Sequence, residues 1–257
     1  MAIVKIDMEA KKLEKTEEYV AEEKHIHIFL NKRHYSTIMC TPKDLKELAV
    51  GHLLAEGIIK TVEEIEKITI KKDKCYINLK PNINLKIRLK LVERFSLIIP
   101  SACGGPYQPH ALKTLKKIDT KTTVKAETIQ SCVNKLNCLA ETYRKTHGVH
   151  AAAIYKTDGT LLAFAEDVGR HNAVDKAIGK CALQKMAFNE CLITLSGRLT
   201  ADIVLKAARV GIPIIASLAV ALDSGIEIAK KTNLTLIGFV RGWRMNVYNA
   251  PERILLS

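Results

Sequence analysis

The first hundred residues alternate apolar and polar positions, a pattern that predicts β-strands. Two strands are expected within residues 24–40, separated by a turn at residues 31–33. Residues 65–91 continue the alternation, which is typical of an antiparallel meander with one solvated face. Between these strands, Thr41-Pro42 predicts the start of a helix that ends at Gly57, because threonine caps helices and proline suits the first helical position.

The pattern changes in the second part of the chain, where strands and helices alternate. A long amphipathic helix is predicted at residues 126–146. The alternation that follows indicates βαβ units, so we expect an α/β domain at residues 101–257 after a smaller β-rich N-terminal subdomain with one helix at residues 1–100. The predicted strands cover residues 150–155, 161–165, 191–195, 213–217 and 234–240, and the predicted helices cover 170–184, 200–210 and 223–232.

The composition is that of a globular protein and argues against a membrane location. The chain has 257 residues, of which 47% are hydrophobic and 26% are charged. Its longest nearly apolar stretch, residues 212–222, is interrupted by Pro213 and Ser217 and is far shorter than the roughly 20 residues that a membrane helix needs. The first residues lack an apolar signal core. We therefore expect a cytoplasmic protein with no membrane partner.

The net charge of +13 is unevenly distributed and suggests an anionic partner for the C-terminal part. Residues 1–100 carry 19 basic and 15 acidic side chains, whereas residues 101–257 carry 21 and 12. A solvated, lysine-rich surface is the alternative explanation. Nucleic acid is not expected as the ligand, because only 5% of the residues are aromatic and no nucleic-acid-binding motif occurs.

One of the seven cysteines, Cys103, has the sequence surroundings of a reactive thiol. The number of cysteines is odd and no C-x-x-C pair occurs, so a disulfide framework is not expected. Most of the cysteines are predicted to be buried. Cys103 lies in the turn-like sequence SACGG, whose glycines leave backbone N–H groups available to stabilise a thiolate. Such a thiolate can accept sulfane sulfur from a donor persulfide and pass it on. An unreactive loop cysteine is the alternative.

Glycine–arginine pairs follow three of the predicted strands. They are Gly169-Arg170, Gly197-Arg198 and Arg241-Gly242, with Arg244 just beyond the third pair. In an open α/β sheet, ligands bind beyond the carboxyl ends of the strands, where helix N-termini and arginine side chains hold phosphate. The pairs therefore predict a site for a polyanionic nucleotide at one edge of the sheet, although neither of the two best-known nucleotide-binding loops occurs.

Neighbouring polar residues allow more than one interpretation. The arginines could instead pair with nearby acids, for which Glu166, Asp167 and Asp202 are the candidates. Asp167 could also be the N-cap of the following helix. His171 could act as an acid or base, bind a ligand, or pack at the helix start. Asp175 could contact the ligand or pair within its own helix.

No metal site is predicted from the spacing of histidines and cysteines. His25 and His27 alternate on a strand and share one face, for which a solvated surface is the simpler explanation. The H-x-E and P-C-x-x-C signatures of zinc deaminases are absent, which argues against deaminase chemistry.

Several segments together resemble the formate dehydrogenase accessory family, FdhD/NarQ, over residues 37–254. The central block EDVGRHNAVDK at residues 166–176 is the most specific of them. The other matching segments are CTPKDLKELAVG at 40–51, EGII at 56–59, GVHAAA at 148–153, SGR at 196–198, KA at 206–207, GIP at 211–213 and GFVRG at 238–242.

The resemblance implies a cytidine-deaminase-like mixed sheet with flanking helices and without a zinc site. It implies a sulfur carrier of the sulfurtransferase type. Sulfur from a cysteine desulfurase would reach the molybdenum bis(guanine dinucleotide) cofactor, a bound substrate, through a persulfide on Cys103 before the cofactor enters formate dehydrogenase. A homodimer is also implied. The arginine pattern and the resemblance together assign cofactor contacts to Arg170, His171, Asn172, Asp175, Ser196, Gly197, Arg198, Phe239, Val240, Arg241, Gly242, Trp243 and Arg244.

Two departures from the family pattern leave an alternative open. The family usually carries a C-x-x-C pair, of which Cys103 matches the first cysteine, whereas Pro106 stands at the second. Residues 220–222 are Val-Ala-Leu, where the family tends to have Ala-Pro-Thr. One thiol suffices to carry one sulfur, so transfer is still expected. The alternative is a non-catalytic chaperone that binds and delivers the cofactor.

Overall fold

The N-terminal part of the chain forms a five-stranded sheet and two helices. The structure is a computed structural model that describes residues 1–92, 98–99 and 116–256. The strands pair in the order β5-β6-β3-β4-β7, and β1 and β2 form a separate hairpin. The elements are β1 (Ala2–Asp7), β2 (Lys12–Glu17), β3 (Lys24–Leu30), β4 (Arg33–Cys40), α1 (Leu45–Ala55), a 3₁₀ turn (Val62–Glu64), β5 (Ile65–Lys71), β6 (Lys74–Leu79), α2 (Leu85–Val92) and β7 (Ile98–Ile99).

Two N-terminal predictions are wrong in detail. Helix α1 begins at Leu45 with Asp44 as its N-cap, not at Thr41. Thr41 does not cap the helix because its N–H donates to the Asp167 carboxylate and its hydroxyl accepts from the Val168 N–H. Residues 85–91 belong to helix α2, so the predicted meander ends at Leu79. The remaining strands do not form a simple meander, since β6 pairs in parallel with β3.

The C-terminal part contains a six-stranded mixed sheet with helices on both faces, as predicted. Its strands pair in the order β10-β9-β11-β12-β13-β14, and a short pair joins β15 to β8. The elements are β8 (Val124–Lys125), α3 (Ala126–Leu139), α4 (Glu141–Thr146), β9 (His150–Lys156), β10 (Leu161–Asp167), α5 (Arg170–Leu183), β11 (Cys191–Leu195), α6 (Ala201–Val210), β12 (Ile214–Ser217), α7 (Asp223–Thr232), β13 (Thr235–Arg241), β14 (Arg244–Asn249), a 3₁₀ turn (Pro251–Arg253) and β15 (Ile254–Leu255).

Two C-terminal predictions also need correction. The helix predicted over residues 126–146 is divided at Ala140, whose ψ of 75° lies outside the helical region. The strand that was expected to be the last, β13, is followed by β14, which pairs with it in an antiparallel hairpin, and by β15. The Arg241-Gly242 pair therefore lies at the turn of this hairpin.

Alternate residues of the six-stranded sheet face two different hydrophobic layers. Ile154, Ile193 and Leu236 face a core that also includes α5, α6, α1 and the N-terminal sheet. Tyr155 and Leu192 face the opposite side, where α3 packs. The first core is continuous between the two parts of the chain, and the predicted division after residue 100 stays a prediction.

Helices α1 and α5 cross at backbone contact distance inside the shared core. A Cβ atom added to Gly51 would lie 1.8 Å from the Asp175 carbonyl oxygen, and one added to Gly179 would lie 1.9 Å from that of Glu47. Only glycine allows two helix backbones to approach this closely. The crossing fixes the N-terminal sheet against the C-terminal one.

Among the described helices, none is long and apolar enough to cross a membrane.

Candidate functional site

Four strands of the large sheet end at the same edge. Strands β11, β12 and β13 are parallel, and β10 has the same direction because both β10 and β11 are antiparallel to β9. The loops that follow these strands include the three glycine–arginine pairs, and β9 begins at this edge with His150. The edge is the place where an open α/β sheet binds ligands.

A cavity of about 460 Å³ opens at this edge between the strand ends and helices α3 and α4. Polar groups on its sheet side come from His150, Ser196 and Arg241. Its volume lies within the range of small-molecule sites. The remaining lining residues are Leu136, Asn137, Ala140, Tyr143, His147, Gly148, Val149, Ala151, Val168, Leu218 and Ala219.

His150 and Ser196 form a fixed polar pair in the cavity. The His150 Nδ1 atom lies 3.2 Å from Ser196 Oγ, and this hydroxyl also accepts a hydrogen bond from the Ala151 N–H at 3.0 Å. Burial lowers the pKa of His150, and the nearby charges of Arg170 and His171 lower it further. His150 is therefore a neutral imidazole at physiological pH, able to donate or accept a hydrogen bond toward a ligand.

The start of helix α5 lies against the Gly197 loop. A Cβ atom at Gly197 would lie 3.1 Å from the Arg170 Cβ, a tight contact, so the two loops pack closely here. The next residue, His171, is 6% exposed, and its Nε2 is hydrogen-bonded to the Asp202 carboxylate, which also accepts from the Thr200 hydroxyl. Within the described residues, the buried His171 Nδ1 has no hydrogen-bond partner.

The three exposed arginines of this edge, Arg198, Arg241 and Arg244, form no ion pair with any described residue. The acids that were their alternative partners are engaged elsewhere. Glu166 accepts hydrogen bonds from the N–H groups of Thr142 and Tyr143 at the start of α4, and the Asp167 carboxylate lies 2.6 Å from Lys176 Nζ. Asp202 binds His171. For these three arginines, pairing with those acids is excluded.

The β13–β14 hairpin presents residues of both kinds, exposed and buried. The Arg241 guanidinium lies 4.7 Å from the centre of the Phe239 ring, a cation–π contact. Phe239 has a φ of 54°, a left-handed conformation that is uncommon for a bulky side chain. Gly242 turns the hairpin with a φ of 55°, and Trp243 is 84% exposed. Val240, by contrast, is fully buried.

Three side chains point into the protein: those of Asn172 and Asp175, which were predicted to contact the cofactor, and that of Asp167, which was a predicted helix cap. Asn172 donates to the Met39 carbonyl and to Asp167, and Asp175 is 1% exposed. Asp167 is not the N-cap of α5, which is Gly169, although its carboxylate accepts from the Gly169 N–H. These side chains support the loops from below, and a cofactor contact by Asn172 or Asp175 stays a prediction.

Two buried lysines and a histidine that the sequence analysis missed complete the polar layer beneath the site. Lys176 donates to the Thr41 carbonyl and forms an ion pair with Asp167. These two contacts link the end of β4 to the end of β10. Lys206 and His52 both hold Asp175. Burial opposes ionisation of Asp175, but the charge of Lys206 and the hydrogen bond from His52 outweigh it and lower the pKa of Asp175.

The described cysteines include one exposed thiol. Cys138, at the end of α3, is exposed. The other five are buried, and burial raises the pKa of each thiol to about 11 or about 12, which keeps them protonated and unreactive. They are Cys40, Cys75, Cys132, Cys181 and Cys191. Cys103 lies outside the described residues, as do Gly104, Gly105 and Pro106.

These features define a mixed α/β protein with a cavity, lined in part by Arg241, and further exposed arginines at the carboxyl edge of its main sheet. The family model of FdhD/NarQ matches residues 21–255. The chain belongs to the FdhD/NarQ family, as its motifs predicted.

Similar proteins cover almost the whole chain. It is 38% identical to a sulfur carrier protein FdhD from Sulfolobus acidocaldarius, over 93% of this chain and 92% of that protein. It is 33% identical to the protein of the same name from Bacillus subtilis, over 94% and 92%. A crystal structure of a formate dehydrogenase accessory protein from Desulfotalea psychrophila superposes with a TM-score of 0.81 at 31% identity, covering 99% of this chain and 98% of that one.

Proposed function

We propose that this protein is a sulfur carrier for the maturation of formate dehydrogenase, and that Cys103 carries the sulfur. The sulfur would pass from a cysteine desulfurase to the molybdenum bis(guanine dinucleotide) cofactor, which the protein binds as a substrate. Its membership of the FdhD/NarQ family and the names of its relatives support the general role. The cleft supports the choice of ligand.

The observation that carries the ligand assignment is the set of exposed arginines without acidic partners in the described chain. Arg198 lies in the loop after β11, Arg241 ends β13 and Arg244 begins β14, all at one sheet edge, and their positive charges are not neutralised by described acids. Diphosphate groups are suited to this arrangement, because arginine binds phosphate through forked, charge-assisted hydrogen bonds. A cavity of about 460 Å³ is large enough for one guanine nucleotide unit rather than the entire cofactor.

The last described strand before Cys103 runs toward residues that line the cavity. Strand β7 is parallel to β4 and pairs Ile99 with Ile38, so it runs toward Thr41. Thr41 donates its N–H to Asp167 and accepts from the Val168 N–H, and Val168 lines the cavity. Residue 103 follows Ile99 by only four positions.

The first transfer step is an exchange between a thiolate and a persulfide. The Cys103 thiolate attacks the outer sulfur of a persulfide on the desulfurase, the sulfur–sulfur bond of the donor breaks, and the donor cysteine leaves as a thiolate. In the second step the outer sulfur of the Cys103 persulfide moves to the cofactor. Its conversion to sulfide takes two electrons from a cellular thiol reductant, and Cys103 returns to the thiolate.

The remaining parts of the proposal concern partners and location. The protein would meet a desulfurase and apo formate dehydrogenase in the cytoplasm, and it would act as a homodimer. A thiol that is regenerated after each transfer makes it a sulfurtransferase-type carrier.

Labelling with radioactive sulfur tests the proposal directly. A cysteine desulfurase and ³⁵S-cysteine should label the wild-type protein, and a thiol reductant should remove the label, because a persulfide is reducible. Cys103→Ala should abolish labelling. The matched control is Cys138→Ala, which removes the exposed described thiol and should retain the label.

The alternative, a non-catalytic cofactor chaperone, rests on Pro106 in place of a second cysteine. Equal labelling of the wild type and Cys103→Ala would contradict the assignment of Cys103. If neither protein is labelled while guanine nucleotide binding is retained, the chaperone function is supported instead.

A further inference from the structure

A cluster of two histidines and an aspartate lies on the N-terminal sheet, whereas the cavity lies at the edge of the C-terminal sheet. His25 and His27 project from the same face of β3, and Asp73 lies in the turn between β5 and β6. One ligand atom of each residue, an imidazole nitrogen or a carboxylate oxygen, lies within 4.8 Å of the other two. From these contacts we propose that His25, His27 and Asp73 form a binding site for a zinc-like divalent cation.

The distances fit metal ligands better than they fit hydrogen-bonded partners. His25 Nε2 lies 3.4 Å and His27 Nε2 lies 3.8 Å from Asp73 Oδ2. Hydrogen bonds between a nitrogen and a carboxylate oxygen are usually about 2.7–3.2 Å long. Ligand atoms bound to one tetrahedral zinc at about 2.0–2.1 Å are separated by about 3.4 Å. The imidazole nitrogens of His25 and His27 lie up to 4.8 Å apart, so both rings would have to turn toward a bound ion to reach this geometry.

Neighbouring groups already hold the ligands in place. The His27 Nδ1 lies 2.9 Å from Thr37 Oγ1, which leaves Nε2 to face Asp73. The same hydroxyl lies 3.0 Å from His34 Nε2, so it can accept from His27 and donate to His34. The backbone N–H of His27 donates to the backbone carbonyl of Asp73 at 2.8 Å, which fixes the turn against β3. Metal-binding histidines characteristically have such a partner on their second ring nitrogen.

The charges around the cluster indicate which cations it would select. Asp73 supplies one negative charge, whereas Lys74 adds a positive charge that acts on His27. The affinity must therefore come from coordination by imidazole nitrogen rather than from net charge. Nitrogen ligands favour Zn²⁺ and its transition-metal neighbours, and a site with one carboxylate does not suit Ca²⁺ or Mg²⁺, which need several oxygen ligands. Three protein ligands leave a fourth position for water or a partner's side chain.

From the sequence, His25 and His27 were attributed to a solvated face because they alternate on a strand; Asp73 is distant from them in the sequence. Asp73 reaches the cluster only through the parallel pairing of β6 with β3, which places Lys74 opposite His27. No local spacing of histidines could indicate this pairing.

Calorimetric titration with ZnCl₂ tests the site. The parent for this experiment is the full chain with Cys103→Ser and Cys138→Ser, so that thiols do not bind the metal. We expect one Zn²⁺ per chain, no binding of MgCl₂, and an increase in Tm with ZnCl₂ because the metal binds only the folded state. His27→Ala should weaken zinc affinity by more than about 100-fold, and Thr37→Val by roughly tenfold, since it removes only the orienting hydrogen bond.

Two controls separate this site from other surface ligands and from loss of folding. Asp119→Asn alters an exposed carboxylate outside the cluster and should keep the parent affinity. Asp73→Asn preserves the shape of the turn and should weaken binding while leaving the Tm without metal nearly unchanged. Zinc binding of equal affinity in the parent and in a His25→Ala/His27→Ala variant would overturn the proposal, as would the absence of zinc binding by the parent. Either result leaves the sulfur carrier proposal unaffected.

Discussion

At the scale of single residues, Asp202 is an acid of the candidate site whose negative charge is held by hydrogen bonds from neighbouring loop and helix residues. Its carboxylate accepts hydrogen bonds from His171 and Thr200 and from the backbone of Ile203. Burial opposes ionisation of this carboxyl, but these bonds and the charge of His171 outweigh it and hold the pKa of Asp202 well below its ordinary value of 3.8. A lowered pKa in the folded state stabilises the fold at a pH above the unfolded pKa, and this contribution is lost as the pH falls.

We predict that Asp202→Asn lowers the free energy of unfolding at neutral pH by roughly 1.5–3 kcal/mol, the scale of a hydrogen bond to a charged group. The difference from wild type should still be present at about pH 5 and should shrink below about pH 4, where the unfolded carboxyl takes up a proton. Urea unfolding across this pH range measures it. Asp119→Asn, at an exposed position, should change stability by less than about 0.5 kcal/mol at every pH. A difference that grows on acidification would contradict the explanation.

The sequence identified the exposed charges of the site better than the buried ones. Arg198 and Arg241 could be recognised because glycine–arginine pairs follow apolar runs. The pairs Asp167–Lys176 and Asp175–Lys206 could not be found in the same way. Lys206 reaches Asp175 from another helix, and a buried ion pair leaves no local pattern in the sequence.

At the scale of secondary-structure elements, the crossing of α1 and α5 is the contact most sensitive to added volume. We predict that Gly179→Ala lowers the free energy of unfolding by at least about 2 kcal/mol, because the new methyl group would overlap the Glu47 carbonyl and push the helices apart. Chemical denaturation measures the loss. Gly211→Ala is the matched control, since a methyl group there meets nothing within 4 Å and costs only the left-handed backbone penalty of about 1–2 kcal/mol. If Gly179→Ala is no more destabilising than Gly211→Ala, the helices can separate freely.

Element types were predicted well wherever the hydrophobic period was clear, and helix α2 shows the limit. Its sequence, LKIRLKLV, alternates apolar and charged residues and therefore fits a strand. As a helix it exposes apolar side chains, with Ile87 56% and Leu89 38% exposed. The choice between helix and strand at such a segment depends on its tertiary neighbours rather than on its own pattern. The break at Ala140 likewise follows from Glu166, which binds the start of α4 from another strand.

At the scale of the whole molecule, the net charge of +13 acts together with the exposed arginines at the sheet edge. We predict that Arg198→Ala and Arg241→Ala each weaken GDP binding by roughly 1.5–3 kcal/mol at low salt, because each removes a charge-assisted contact. Raising the salt concentration from about 0.05 to about 0.5 M should weaken binding by the wild type and reduce its advantage over the variants, since salt screens exposed charges. Titration calorimetry measures both effects.

The control for these variants is Arg33→Ala, which removes an exposed arginine from the other sheet and lowers the net charge equally. It should bind GDP with nearly wild-type affinity. Unchanged affinity in both cleft variants would refute the pocket, whereas an equal loss in all three would show that binding depends on overall charge.

The composition of the β13–β14 hairpin has a practical consequence. The only tryptophan of the chain, Trp243, stands at its tip in nearly full contact with solvent. Its indole emission therefore comes from one position in the hairpin that also contributes Arg241 to the cavity, without interference from a second tryptophan. A molecule that covers the tip of the hairpin would shift this emission to shorter wavelength, so contact with the hairpin can be followed optically in the unlabelled wild-type protein.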